Sequence, residues 1–246
     1  MFISENSHNV KKLLDTMKTD DIHSGSPNEE TPVSKEPLLI PGGLFIVFEG
    51  IDGTGKSTQV RLLAERLRQL GYAVVATREP TDGPYGQKIR ELFLDRNSVS
   101  QDEELELFMA DRAQHVEQVI APALSDGRIV ISDRYYLSTV AYQGANGMDP
   151  EMIQQKNAEF PVPDLAIILE IEPARGIDRI QNNRNEHPNT FEEEANLRKV
   201  AKIFADLPQS FIKRINGSGS IEDVQRQVFE KVDYLLTQKK LQHMEC

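Results

Sequence analysis

The stretch Leu44-Phe45-Ile46-Val47-Phe48-Glu49-Gly50-Ile51-Asp52-Gly53-Thr54-Gly55-Lys56-Ser57 decides how this chain is read. The continuous apolar run Leu44 to Phe48 predicts a strand covered on both faces, as strands of parallel sheets are. The turn from Gly50 to Ser57 satisfies G-x-x-x-x-G-K-[ST]. After it, Val60, Leu63, Ala64, Leu67 and Leu70 recur at helical spacing until Gly71. Strand, glycine-bearing turn and helix in that order carry a chemical meaning. Backbone N–H groups of such a turn converge on phosphate oxygens, the helix adds its positive N-terminal end, and the glycines let the backbone come close. Lys56 would bridge the outer phosphates of a nucleoside triphosphate, and the Ser57 hydroxyl would ligate magnesium. Gly50, Ile51, Asp52, Gly53, Thr54, Gly55 and Thr58 complete the expected phosphate site.

Working outward, strand and helix patterns keep alternating. Ala73 to Thr77 reads as a second strand. Ser100 with Glu103 forms a capping-box signal for a helix reaching about Leu124, and Gly127 ends it. Arg128 to Ser132, Leu165 to Ile171 and Phe211 to Ile215 read as three more strands. Helices between strands imply parallel pairing, so the expected fold is α/β, a doubly wound five-stranded parallel sheet with helices on both faces. Ligands of such sheets bind at the carboxyl ends of the strands, and Glu49, Arg78, Asp133 and Glu170 all fall at or just past such ends. The strands preceding Arg78 and Arg134 are expected to flank the first one.

Residues 1–40 are rich in Ser, Asn, Asp, Glu, Thr and Pro and read as an extension without a core; residues 41–246 read as one domain. A net charge of −11 argues against a protein that coats nucleic acid, so an anionic partner must meet a local basic cleft. The single cysteine, Cys246, allows no internal disulfide. No stretch approaches the roughly 18 consecutive apolar residues of a membrane span, and no basic segment followed by an apolar one opens the chain. A cytoplasmic protein is the expectation.

The motifs then become specific. Phe48-Glu49-Gly50-Ile51-Asp52-Gly53 through Thr58, Thr77-Arg78-Glu79-Pro80, and Asp133-Arg134-Tyr135 with Ser138 and Ala141-Tyr142-Gln143 together resemble the thymidylate kinases, a family of P-loop type. The resemblance runs from about Leu44 to the carboxyl end. It implies ATP with Mg2+ as donor, dTMP as acceptor, and a homodimer. It implies further that Arg78 and Arg134 hold the acceptor phosphate, that Phe108 stacks on the base and that Arg112 bonds the base's carbonyl edge. Tyr142 would lie under the deoxyribose beside Ser138, and Asp52 would accept a hydrogen bond from the acceptor 3′-hydroxyl. The residue types suit these roles. A planar guanidinium clamps a phosphate bidentately, and Phe108 and Arg112, four apart on one helix, share a face. Asp133 is expected to partner Lys56 or the magnesium shell.

Between Pro173 and about Leu207 lies a polar segment bearing Arg175, Arg179, Arg184 and Arg198, with a turn at Glu186-His187-Pro188-Asn189 and a capping box from Thr190 to Glu193. The family carries a mobile lid there. No basic residue occurs between Gly50 and Lys56, so the resemblance assigns the catalytic arginine to the lid: Arg184, or failing that Arg179. One departure stands out. Where the family commonly continues from Arg-Glu-Pro with two glycines, this chain has Thr81-Asp82-Gly83-Pro84-Tyr85-Gly86. The rival readings are a kinase for another nucleoside monophosphate, a deoxynucleoside kinase with Glu49 as general base, and a nucleotide-binding regulatory module without turnover.

Overall fold

A computed structural model of the chain describes residues 36–93, 99–184 and 194–244. Strand β1 (Leu44–Glu49) is buried at every position. Its side chains alternate between two cores: Phe45 and Val47 face one, Leu44, Ile46 and Phe48 the other. That alternation explains the unbroken apolar run, since a strand with a core on each side has no polar face to offer.

Helix α1 (Lys56–Gln69) follows the phosphate turn and buries Val60, Leu63 and Leu67 in the second core. The chain continues with β2 (Val74–Arg78), α2 (Pro84–Leu92) and α3 (Gln101–His115). Ser100 forms its capping box with Glu103, and the helical run passes through a π turn at Val116–Ile120 into α4 (Ala121–Ser125). Pro122, lacking an N–H, sits just after that π turn, as expected where the regular helical ladder loses a donor. Then come β3 (Ile129–Asp133), α5 (Tyr136–Ala145), α6 (Pro150–Lys156), β4 (Leu165–Glu170), α7 (Pro173–Arg184), α8 (Glu194–Asp206), β5 (Ile212–Asn216) and α9 (Ile221–Met244). Helices α3, α5, α6 and α8 cover the first core through Leu105, Leu137, Ile153 and Leu197; α1 and α9 cover the second.

All strand pairs are parallel, in the order β2-β3-β1-β4-β5. The doubly wound class is as expected, but one adjacency is not. β3 and β4 flank β1, whereas β2 is an edge strand beyond β3. The crossover through α1 skips one position, and β3, arriving later, fills it. The winding reverses at β1, and that reversal opens the ligand crevice above the carboxyl ends of β1 and β3. Arg78 therefore approaches from across β3 and not from beside β1.

Residues 38–40, read from composition as the end of the extension, pack on the domain. The Leu38 N–H donates to Gly71 O, the Ala73 N–H to Leu38 O and the Ile40 N–H to Gly127 O, at 2.7, 3.1 and 2.7 Å. Ile40 is buried in the second core. Residues 1–35 of the extension, together with residues 185–193 of the lid (His187 and the Thr190 to Glu193 box among them) and Cys246, lie outside the described residues. No described helix is long and apolar enough to cross a membrane.

Candidate active site

The turn between β1 and α1 folds around the side chain of Lys56. Lys56 is buried, and its Nζ donates to Ile51 O at 2.8 Å and to Thr54 Oγ1 at 3.4 Å, so the ammonium lies inside the loop. Burial brings its pKa down to about 8, aided by the positive Arg134 and opposed by Asp52, Asp133 and Glu49. Gly53, with φ of +78°, meets the first turn of α7: a Cβ there would lie 2.3 Å from Gly176 O, and one on Gly176 would lie 2.7 Å from Asp52 O. Two glycines thus let helix and loop touch through their backbones. Arg179, from the same helix, donates to Gly53 O at 3.3 Å and to Gly217 O at 3.1 Å. Beside it a cavity of about 490 Å³ is lined by Gly53 to Gln59, Arg179, Gly217, Ser220 and Ile221.

Arg134 is the hub between the loop and the opposite wall. It follows β3 with φ of +72°, a left-handed conformation that costs a non-glycine residue about 1–3 kcal/mol. The backbone holds it there. Its N–H donates to Phe48 O at 2.9 Å, and its carbonyl accepts from Ser132 Oγ at 2.7 Å. The guanidinium then donates to Gly50 O (3.2 Å), Ser138 Oγ (2.9 Å), Asp52 Oδ1 (2.5 Å) and Tyr142 Oη (3.4 Å). Tyr142 also donates to Asp52 Oδ2 at 2.7 Å. Burial opposes ionisation of Asp52, but Arg134 and Lys56 outweigh it and bring its pKa down to about 2. A carboxylate inside a phosphate loop is thereby neutralised by its neighbours. One residue further back, Asp133 accepts from the Ser57 hydroxyl at 2.5 Å; the contacts of Lys56 run to Ile51 and Thr54 instead.

The remaining predicted residues separate into exposed and buried sets. Arg78 is largely exposed and paired with Asp82 at 2.7 Å, and it lines a cavity of about 630 Å³ with Ser57 and Asp133. Phe108 is half-buried and belongs to neither core. Arg112, by contrast, is among the most deeply buried side chains. It donates to Glu79 Oε2 through Nε (3.0 Å) and Nη2 (2.6 Å), to Thr139 Oγ1 (3.0 Å) and to Asn157 Oδ1 (2.5 Å). Its guanidinium carbon lies 5.1 Å from the Tyr135 ring centre. Four of the five N–H groups of an arginine are engaged in this way, which leaves one for the base edge that the family resemblance implies. The Arg184 side chain lies outside the described residues.

The family model described as thymidylate kinase matches residues 48–228. The chain is 53% identical over 194 residues to the thymidylate kinase of Desulfotalea psychrophila, covering 79% of this chain and 96% of that one. It is 44% identical over 189 residues to the thymidylate kinase of Xanthomonas campestris pv. campestris strain B100, covering 77% and 82%. The chain belongs to the thymidylate kinase family.

Sequence reading missed the residues that hold the named ones in place. Glu79 stood in the quoted Arg-Glu-Pro motif, yet nothing local shows that it pairs with Arg112 or that its Oε1 meets His115 Nδ1 at 3.0 Å. His115 Nε2 lies 2.7 Å from Thr77 Oγ1, which ties β2 to the buried polar groups Arg112, Glu79 and His115. Asn157 and Thr139 had no signal at all. Glu49, considered only as a base, is fully buried and accepts from the Tyr135 N–H at 3.0 Å and from the Ser138 hydroxyl at 2.5 Å. Burial lifts its pKa to about 7, against the pull of the Ser138 hydrogen bond and of Arg134. Tyr135 is the N-cap residue of α5, and Glu49 takes its N–H as the N3 carboxylate of a capping box would. The adjacent Ser57 hydroxyl and Asp133 carboxylate are two hard oxygen donors, the kind that magnesium takes in ones and twos beside substrate phosphates.

Proposed function

We propose that this protein transfers the γ-phosphoryl group of ATP to the 5′-phosphate of dTMP, giving dTDP and ADP, and that it works as a cytoplasmic homodimer as its family likeness implies. The observation that carries the reading is the reach of Arg134. Its guanidinium touches the phosphate loop at Gly50 O and the opposite wall at Tyr142, so one fixed cation stands between a donor site and an acceptor site.

The residues divide the work. Backbone N–H groups from Gly50 to Thr58, with Lys56, hold the donor phosphates. Ser57 and Asp133 would hold magnesium, which when bound neutralises charge on those phosphates. Arg134 and Arg78 grip the acceptor phosphate from two sides. Tyr142 and Asp52 bound the sugar, with Phe108 stacked on the base and Arg112 giving its remaining N–H to the base edge. Acceleration comes from bringing two polyanions into line and from fixed positive charge at the transferring group, because the acceptor phosphate is already a nucleophile and needs no strong base. Arg179, bonded to the loop carbonyls, is assigned to the donor site, and Arg184, further along α7, to the transferring phosphoryl group.

A nucleoside kinase is disfavoured by Glu49. Both of its oxygens accept from the protein, and its full burial keeps it from a substrate hydroxyl. The deciding experiment is an acceptor panel with ATP and magnesium: dTMP, dUMP, UMP, CMP, AMP and thymidine. Fastest turnover is expected with dTMP, lost in Lys56→Ala by at least about 10²-fold. Faster turnover of thymidine than of dTMP, or silence of the wild type toward every monophosphate, would refute it.

A further inference from the structure

The turn from Thr81 to Gly86, where the sequence departs from the family's two glycines, is built to one shape. Asp111 accepts from the Thr81 N–H at 2.9 Å and from the Thr81 hydroxyl at 2.5 Å. The Gly83 N–H donates to Thr81 Oγ1 at 3.1 Å, and Arg90 donates to Pro80 O at 3.1 Å. Helix α2 starts hard against this turn: a Cβ on Gly86 would lie 1.9 Å from Thr81 O.

A fixed turn delivers Asp82 to a fixed place. Its Oδ1 accepts from Arg78 Nη2 at 2.7 Å and from Arg90 Nη2 at 3.3 Å. The hydrogen bond from Arg78 holds its carboxyl below the usual carboxylate range. Both partners stand in the open, with side chains 61% exposed for Arg78 and 76% for Asp82, on the wall of the cavity shared with Ser57 and Asp133. The carboxylate therefore covers a guanidinium edge that an incoming phosphate can also use. A phosphate dianion brings more charge and one more acceptor oxygen than a carboxylate, so it can take Arg78 over. A neutral acceptor cannot. Arg90, already in contact, gives the displaced carboxylate somewhere to stay.

We propose that Asp82 is a specificity-determining residue: it occupies Arg78 until a phosphate-bearing acceptor displaces it, and it then remains paired with Arg90. The proposal rests on the assignment of Arg78 to the acceptor phosphate. Asp82 thus weakens every acceptor a little and excludes uncharged ones from the Arg78 contact, a repulsive element placed at the entrance.

The test is steady-state kinetics of Asp82→Asn, alone and combined with Arg78→Ala, at low and high salt. Asp82→Asn is expected to lower KM for dTMP by about twofold to fivefold, the range of exposed ion pairs, with kcat unchanged. The gain should shrink at high salt, where exposed charges are screened, and vanish in the Arg78→Ala background. An unchanged or raised KM in Asp82→Asn, or a gain that persists without Arg78, overturns the proposal. Arg78→Ala alone separates this failure from a deeper one. If it raises KM for dTMP while Asp82→Asn does nothing, only the role of Asp82 falls; if it leaves KM unmoved, the acceptor assignment of Arg78 falls and takes the role of Asp82 with it.

Discussion

Replacing Glu79 by Gln probes the buried pair on which the acceptor side of the site is mounted. The Arg112 side chain is 1% exposed and that of Glu79 is 5%, and they meet through two hydrogen bonds to one carboxylate oxygen. Glutamine keeps the shape and one acceptor oxygen but removes the charge, so the guanidinium is left in the interior without a counter-ion. Breaking such a pair costs about 3–5 kcal/mol, and the retained acceptor places this substitution at the lower end. A loss of about 3 kcal/mol is a large share of the 5–15 kcal/mol typical of a folded domain. For a domain of this size it corresponds to a fall in Tm of about 6–12 °C.

Urea unfolding followed by circular dichroism, with a thermal melt beside it, measures the loss directly. A companion variant makes the reasoning stricter. The double substitution Glu79→Leu with Arg112→Met removes both charges at similar volume, and it should recover much of the stability while losing dTMP affinity. A Glu79→Gln protein within about 1 kcal/mol of wild type refutes the reasoning, and so does a double variant less stable than the single one.

Two further predictions concern Glu49 and the lid. Because burial raises the Glu49 pKa from 4.5 to about 7, the folded protein holds a proton there that the unfolded chain releases; the stability this contributes is full below pH 4.5 and lost as pH climbs through 7, about 3 kcal/mol in all. Glu49→Gln should flatten that part of the stability-versus-pH curve, and an identical slope in both proteins would contradict the burial argument. On the lid, Arg184→Ala is expected to cut kcat by about 10³-fold with a modest change in KM, while Arg179→Ala chiefly raises KM for ATP; near-normal turnover in both would remove the lid from catalysis.

Local features were legible in the sequence, and long-range ones were not. The phosphate loop and its flanking strand and helix could be read because turn geometry, glycine placement and apolar periodicity all act over a few residues. The place of β2 at the sheet edge could not, since a crossover helix reaches an adjacent or a next-but-one position with the same local pattern. Arg134 was found through its motif, but its positive φ depends on bonds to Phe48 and Ser132 that no propensity encodes. Arg112 shows the limit most plainly. Helical spacing put it on the face of Phe108, and only the fold reveals that Glu79, Thr139 and Asn157, from three other segments, already hold it.

The three arginines assigned to the acceptor side differ in one physical respect that neither sequence nor chemistry alone expresses. Each is paired with a carboxylate, and the carboxylates are graded by exposure: 5% for Glu79 on Arg112, 23% for Asp52 on Arg134, 76% for Asp82 on Arg78. A chain of net charge −11 cannot leave free guanidinium groups to wait for a phosphate without surrounding carboxylates competing for them. Burial decides the outcome of that competition. A fully desolvated pair cannot exchange partners without stranding a charge, so Arg112 stays fixed and serves as a mount. An exposed pair is worth little and is rehydrated as it opens, so Arg78 is the cation a ligand can recruit. Arg134 lies between these limits, anchored by Asp52 and the Gly50 carbonyl of the phosphate loop on one side and by Ser138 and Tyr142 of α5 on the other, and that double anchorage suits the one cation proposed to face both substrates.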